Sequence, residues 1–319
     1  MPGNANLYGC DMIIHYLRHQ QIDLQRWDAA IDRAPNGLPY AYSWYLDAVT
    51  AGSWDALVTP EYAAVMPLPW NRRLLGLRQC YQPIFSQQLG VFGAGIDEET
   101  VQRFLLALPS AFRLVRLHLN EGNRCKLPGI ALSERTNLVL DLNRPYAQIR
   151  KNYSKGLRSC LKRAASRHRA EELSDPGPAL AFFRTQLGGR LRLRDRHYTR
   201  LHRLLGEALA RDQGRLIGVY DAEGHLTAAT FFLLSHRRVI NLLSASSPAG
   251  RDRYSMHYLL DRQIQQHAGQ PLLFDFEGSQ IEGVARFFKS FGSERRAYFR
   301  YVRNELPPPL SRLIAHFKS

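Results

Sequence analysis

The sequence predicts an α/β (α+β) protein of two similar halves, each a mixed, largely antiparallel sheet flanked by helices. Three observations carry this. Segments with strand character recur between segments with helical apolar spacing. The order helices, antiparallel meander, helix, strand occurs twice along the chain. Near the end, residues 272–278 read as a buried strand running into a tight turn and a helix. No repeat is visible residue by residue, so the duplication is one of structure.

The 319-residue chain then divides into a loosely ordered segment 1–11, a first domain 12–143, a second domain 144–304 and a Pro-rich basic tail 305–319. In the first, residues 12–17 read as a strand, and Ile22, Leu24, Trp27, Ala30 and Ile31 recur at helical spacing. Residues 42–49 suit a shorter helix. Residues 55–59 and 62–68 read as a hairpin around Pro60-Glu61, with Pro67 and Pro69 limiting its second strand to an edge or a short length. Residues 79–93 are extended and rich in aromatic, amide and small side chains. A helix at 97–108 and strands at 113–119 and 136–142 follow. In the second domain Pro145 opens a long helix to about residue 169. Helices at 178–187 and 195–211 come next, then strands at 215–220, 226–234 and 239–246, the first two joined by a hairpin-like turn at 221–224. A helix at 255–267, a strand at 271–277, a helix from 279 and a strand at 297–302 complete the reading.

The net charge of +15 and pI near 10.0 favour a negatively charged partner. The charge is organised: residues 142–170 hold no Asp or Glu but nine Lys or Arg. On a continuous helix Lys151, Lys155, Arg158 and Lys162 make one stripe, opposite Ile149, Tyr153, Leu157, Cys160 and Ala164. Such a stripe suits coenzyme phosphates, a nucleotide diphosphate or an RNA backbone, or a basic face that answers acids elsewhere in the protein. Arg190, Arg192, Arg194, Arg196 and Arg200 would extend the same surface. The four cysteines are scattered and the 11 histidines show no ligand spacing, so no metal site or disulfide framework is expected. No run approaches the roughly 20 apolar residues of a membrane span, and a cytoplasmic location is the expectation.

Residues 274–292 hold the most concentrated chemistry. Alternation places Phe274 and Phe276 on one face of a strand and Asp275 and Glu277 on the other, at its carboxyl end, where open α/β sheets place ligands. Gly278 permits a reversal, Ser279 and Glu282 match a capping box, Ile281, Val284, Ala285 and Phe288 form an apolar stripe, and Gly292 stops the helix. Lys289 lies near the helix end. Residues 246–255 join a strand to a helix, so Arg251, Tyr254 and Ser255 could meet a phosphate at free amides, although the P-loop spacing is missing. Gln87 and Gln88 could line a cleft.

Residues 135–142, Tyr153-Ser154-Lys155-Gly156-Leu157-Arg158 in the basic segment, Asp275-Phe276-Glu277-Gly278-Ser279 and Phe287-Phe288-Lys289-Ser290-Phe291-Gly292 together resemble the Fem-like branch of the GNAT acyltransferase superfamily, over about residues 129–304. The resemblance implies two GNAT-like domains with a cleft between them, and transfer of an activated acyl group, from acyl-CoA or aminoacyl-tRNA as co-substrate, to a small-molecule or peptide amine. It implies a reaction centre at Phe288 and Lys289, the lysine steadying the oxyanion. Lys155, Arg158 and Lys162, or Arg251, Tyr254 and Ser255, would then hold the donor's phosphates. Glu277 or Asp275 would orient or deprotonate the amine, and Gln87 and Gln88 would line the acceptor cleft. The long coiled-coil arm of some Fem proteins has no counterpart, and residues that hold a nucleotide-linked muropeptide are not matched. No tightly bound cofactor is expected. A non-catalytic RNA-binding module using the basic helix 145–169, with tRNA as a partner, is the alternative, and a membrane-surface role is less favoured.

Overall fold

The computed structural model describes residues 12–72, 76–125, 131–164, 168–191, 193–278 and 280–307. The segment 1–11, the tail beyond residue 307, and Arg192 and Ser279, all named above, lie outside the described residues.

The chain opens with β1 (His15–Leu17), α1 (Leu24–Arg33), α2 (Ser43–Thr50), β2 (Trp54–Val58), β3 (Ala64–Arg72), β4 (Arg78–Tyr81), β5 (Phe92–Gly93), α3 (Glu98–Leu106) and β6 (Leu114–Leu119). Then come β7 (Ala131–Asp141), α4 (Tyr146–Lys151), α5 (Lys155–Ala164), β8 (Arg169–Glu172), α6 (Pro176–Leu191) and α7 (Asp195–Ala210). The meander β9 (Gly214–Tyr220), β10 (Leu226–Ser235) and β11 (Arg238–Ser246) leads to α8 (Pro248–Asp252), α9 (Ser255–His267), β12 (Leu273–Asp275), α10 (Glu282–Lys289) and β13 (Glu294–Asn304).

Among the described residues the strands form one sheet, in the order β1-β2-β3-β4-β6-β13-β7-β12-β11-β10-β9-β8, with β5 added to β3. It is mixed, with β4–β6 and β11–β12 parallel and the remaining neighbours antiparallel. The last strand bridges the molecule: β13 pairs with β6 through Arg300↔His118 and with β7 through Tyr298↔Arg135.

Local chemistry explains most elements. Asp23 and Asp97 accept the amides of Arg26 and Thr100 and so cap α1 and α3. Trp27, Ala30 and Ile31 of α1 are buried at helical spacing. Three expectations are corrected. Pro67 and Pro69 do not shorten β3, which runs nine residues. Trp70 donates its amide to Ser53 on the β2 side, so the imino nitrogens of Pro67 and Pro69 face the other side. There β3 pairs only at Ala64–Val65 and from Trp70 onward, and no ladder bond is lost.

The long helix from Pro145 is in fact two helices and a strand, α4, α5 and β8. The break falls at Asn152-Tyr153-Ser154, where the Ser154 hydroxyl accepts the Leu157 amide, 3.1 Å, and starts α5 afresh. The last helix starts at Glu282, three residues later than the capping box predicted, and Glu282 pairs with Arg286 at 2.6 Å instead of reaching back. Ile281, expected on its apolar stripe, is exposed.

Helices cover both faces of the sheet. One core gathers α1, α2, α6 and α7 with Phe231, Leu233 and Ile240. The other gathers Ile149, Tyr153, Leu157 and Leu161 with α9, Phe232, Phe274, Phe276 and Phe288. Phe231 and Phe232 thus face opposite ways, as strand neighbours must. The arginines of α7 are therefore not an extension of the α5 surface.

Candidate active site

Short β12 positions the site. It pairs with β11 on one side (Arg238↔Leu273 to Ile240↔Asp275) and with β7 on the other (Leu273↔Asp141 to Asp275↔Val139). Phe274 and Phe276 turn into the second core, their rings 4.8 Å apart, and Phe276 stacks on Phe288 at 5.0 Å. Burying such rings contributes roughly 1.5–3 kcal/mol each, which holds the opposite face of the strand in place. On that face Asp275 is 1% exposed. It accepts from Arg238 at 2.8 Å, from Asn137 Nδ2 at 3.1 Å and from the Glu277 amide at 2.9 Å. Arg238 also pairs with Glu121, which accepts from Arg296 at 3.2 Å. Burial works to lower the Arg238 guanidinium, but Asp275 and Glu121 outweigh it and hold the group above its ordinary value.

Glu277 stands apart from this network. Its backbone is left-handed, φ 57°, an uncommon conformation for a residue with a side chain. Gly278 follows at φ 46°, where a Cβ would come within 2.2 Å of the Thr136 carbonyl, so only glycine lets this turn close onto β7. Two first-half side chains reach the turn. The Tyr40 hydroxyl donates to the Glu277 carboxylate, and Gln87 Nε2 donates to the Glu277 carbonyl and, at 3.2 Å, to Asn137 Oδ1. Gln88 supports Gln87 by donating to its Oε1 at 2.7 Å. Desolvation raises the Glu277 carboxyl well above the ordinary Glu value, the Tyr40 hydrogen bond opposes this and Asp275 adds to it. The same burial, with Glu277 beside it, raises the Tyr40 hydroxyl. The result is a desolvated carboxyl, held higher than a surface glutamate, where the two halves touch.

The other expected residues form a second group, on the outer face of the second half. Ser154 donates its amide to the Ser290 carbonyl at 2.9 Å, so the first turn of α5 adjoins the end of α10. Arg163 of α5 donates to the Tyr254 hydroxyl at 2.9 Å, and His257 of α9 meets the Phe287 ring at 4.7 Å. Lys155, Lys162, Arg251 and Lys289 are exposed, and Arg158 is half-buried with a 3.3 Å bond to the Lys151 carbonyl. Arg251 bonds the Ser246 carbonyl at 2.8 Å. Ser255 is fully buried, which takes it away from any phosphate at the surface. Phe288 is core, packed on Phe276. Gln87 and Gln88 are buried ties between the halves; the same loop lends Gln82, Ile84 and Phe85 to a cavity.

Two cavities flank the junction. One, about 1230 Å³, is walled by charges of both signs, among them Glu121, Arg238 and Arg296. The other, about 810 Å³, is walled by arginines from several strands and α7. Phe299 lines the first and its neighbour Arg300 the second, so they open on opposite faces of the sheet. Sequence reasoning missed Tyr40, Arg238, Arg72 and Arg300, and it named Arg135, Asn137, Arg196 and Arg200 without bringing them to these places. Their positions are set by contacts between elements far apart in sequence.

Residues 147–280 match the profile of the acetyltransferase (GNAT) domain. No curated protein sequence matches. Among solved structures, FemX is similar with a TM-score of 0.66 and 14% identity, over 94% of this chain and 99% of that one. A conserved protein of unknown function from Bacteroides thetaiotaomicron is similar at TM-score 0.56 and 12% identity, over 91% and 100%. The C-terminal domain of a putative lysylphosphatidylglycerol synthetase from Agrobacterium fabrum is similar at 0.56 and 12%, over 92% and 95%. Residues 147–280 thus match the GNAT acetyltransferase domain, and the chain as a whole shares the fold of FemX.

Proposed function

We propose that this protein transfers an activated acyl or aminoacyl group to an amine, with Glu277 as the general base. The observation that carries the choice of Glu277 is that no cation holds its carboxylate: Asp275 is held by Arg238 and Asn137, whereas among the described residues the Glu277 carboxylate carries the Tyr40 hydroxyl and no ion pair. A base matched to its task has a pKa near the working pH, and desolvation moves Glu277 in that direction.

In this reaction the amine nitrogen attacks the acyl carbonyl, its proton passes to Glu277, and the carbonyl oxygen becomes an oxyanion. Collapse expels the donor's thiolate or ribose oxygen, which takes up a proton. Lys289, exposed where α10 meets the first turn of α5, shares the basic face and is assigned to the negative charge that develops on the donor's leaving atom, because a nearby cation stabilises charge that appears in the transition state. Lys155, Arg158, Lys162 and Arg251 supply a basic face for the donor's phosphates. The test is transfer of a labelled acyl group from acetyl-CoA, and in parallel from aminoacyl-tRNA, to a panel of amines. Transfer that disappears in Glu277→Gln supports the reading. Salt-sensitive RNA binding without transfer to any amine would replace it with an RNA-binding module.

A further inference from the structure

The 810 Å³ cavity holds a side chain whose chemistry differs from most of its wall. Arg72 of β3, Arg135 of β7, Arg300 of β13, and Arg196 and Arg200 of α7 line it, and among the described residues no Asp or Glu does. Guanidinium groups only donate hydrogen bonds. His118 of β6, opposite Arg300 on β13, can accept as well.

The fold sets which of its ring nitrogens carries the hydrogen. Nδ1 lies 3.1 Å from the Gln87 carbonyl, and a carbonyl only accepts, so Nδ1 carries the hydrogen and donates it. A neutral imidazole has no second hydrogen, which leaves Nε2 a bare lone pair. Nε2 takes no bond from a described residue and is not sealed from solvent. The ring is also fixed in direction. Tyr298 meets it edge-on at 5.7 Å, and the His118 backbone is held on both sides, its amide donating to Gln82 Oε1 at 2.9 Å and its carbonyl accepting from the Leu89 amide at 2.7 Å. His197, the other imidazole in the wall, has its Nδ1 taken by the Arg194 amide at 2.9 Å.

The surroundings keep the His118 lone pair bare. Burial pushes the imidazole down to about 4, with Arg135 and Arg300 adding to it and the Gln87 bond opposing. The same field works against any cation that enters, and Arg300 itself is lowered by burial and Arg135. A protonated amine is therefore not the group that lies against Nε2; an uncharged donor is.

We propose that His118 decides which molecule fills this cavity, its Nε2 accepting a hydrogen bond from an uncharged hydroxyl or amide N–H. A site built this way turns away analogues whose donor is missing or capped, because the lone pair would then be desolvated with no partner. That the molecule takes part in turnover rests on the acyl-transfer reading; the tautomer and the hydrogen bond do not.

Nuclear magnetic resonance of the whole chain, isotope-labelled at its histidine nitrogens, tests this without turnover. His118 is assigned by the signals lost in His118→Gln, and at neutral pH its long-range proton–nitrogen correlations should show the hydrogen on Nδ1 and Nε2 bare. Acetamide and ethylene glycol, as probes, should shift the Nε2 signal. Dimethylacetamide and the dimethyl ether of ethylene glycol, which lack the donor, should not. Kinetics with the donor and amine that turn over in the screen give a second readout. His118→Leu should raise KM roughly tenfold or more while kcat changes far less, and His118→Gln, whose amide oxygen can accept the same bond, should recover part of the loss.

A hydrogen on Nε2 would overturn the proposal, as would equal shifts from donor and capped probes, or none from either. An unchanged KM in His118→Leu would overturn it too. Probe shifts as expected with no transfer to any amine would strike the acyl-transfer reading and leave His118 standing; transfer intact with Nε2 unmoved by every probe would do the reverse.

Discussion

Arginines line both cavities at the junction of the halves, but they are in different situations. In the larger cavity Arg238 and Arg296 are tied to Asp275 and Glu121 and Arg295 to Glu134, whereas Arg124 and Arg237 form no ion pair with a described residue. In the smaller, Arg72, Arg135, Arg196, Arg200 and Arg300 have no carboxylate beside them. Glu277 lines neither cavity, and its carboxylate accepts from the Tyr40 hydroxyl.

The largest expected effect is at that residue. Glu277→Gln keeps a hydrogen-bond acceptor for Tyr40 and removes the base, so kcat/KM for acyl transfer should fall by about 10²–10⁴. The same variant should be more stable at neutral pH, because it removes a desolvated charge. Thermal unfolding alongside the kinetics checks both signs.

Next in size is the paired network. Arg238→Met strands Asp275 in the interior and should cost about 3–5 kcal/mol. Arg300→Gln across the sheet should do the opposite and stabilise. Denaturant unfolding of the two proteins sharpens the comparison if the signs differ and breaks it if both fall.

A third pair of variants separates neighbours on α10. Phe288→Ala empties a place against Phe276 and should cost roughly 3–5 kcal/mol. Lys289→Ala is an exposed change and should leave stability within about 0.5 kcal/mol while lowering kcat. Unchanged turnover would refute the role given to Lys289.

The smallest effect is the pH dependence of stability from Glu277. Its folded pKa lies above the unfolded value near 4.5, so the folded state holds the proton more tightly. That contribution is fully present below the unfolded pKa and is lost as pH rises through the folded one. Wild type should lose stability relative to Glu277→Gln across that window. Catalysis should move the other way, with kcat/KM rising through the same pKa.

Much of the fold was legible because its elements are locally specified. Asp23 and Asp97 announce helix starts, and Phe274 and Phe276 alternate with Asp275 in a three-residue strand. The sheet order was not, since β13 reaches its place between β6 and β7 by pairing with strands more than 150 residues away. Nor was the break at Asn152, where side-chain capping by Ser154 overrides an unbroken helical pattern. For the site, the acids at 275 and 277 were readable from strand alternation, but which of them is free was not. That depends on Arg238 and Asn137, brought to Asp275 by β11 and β7. The arginine cavity was hidden for the same reason, its members coming from three strands and α7.

The most direct test of the account is the pH profile of kcat/KM for acyl transfer by wild type and Glu277→Gln, using the donor and amine that give turnover in the screen. The account predicts a wild-type rate that rises through a pKa well above that of an ordinary glutamate, and a variant whose residual rate lacks that step. The same step in both proteins, or equal rates, would contradict it.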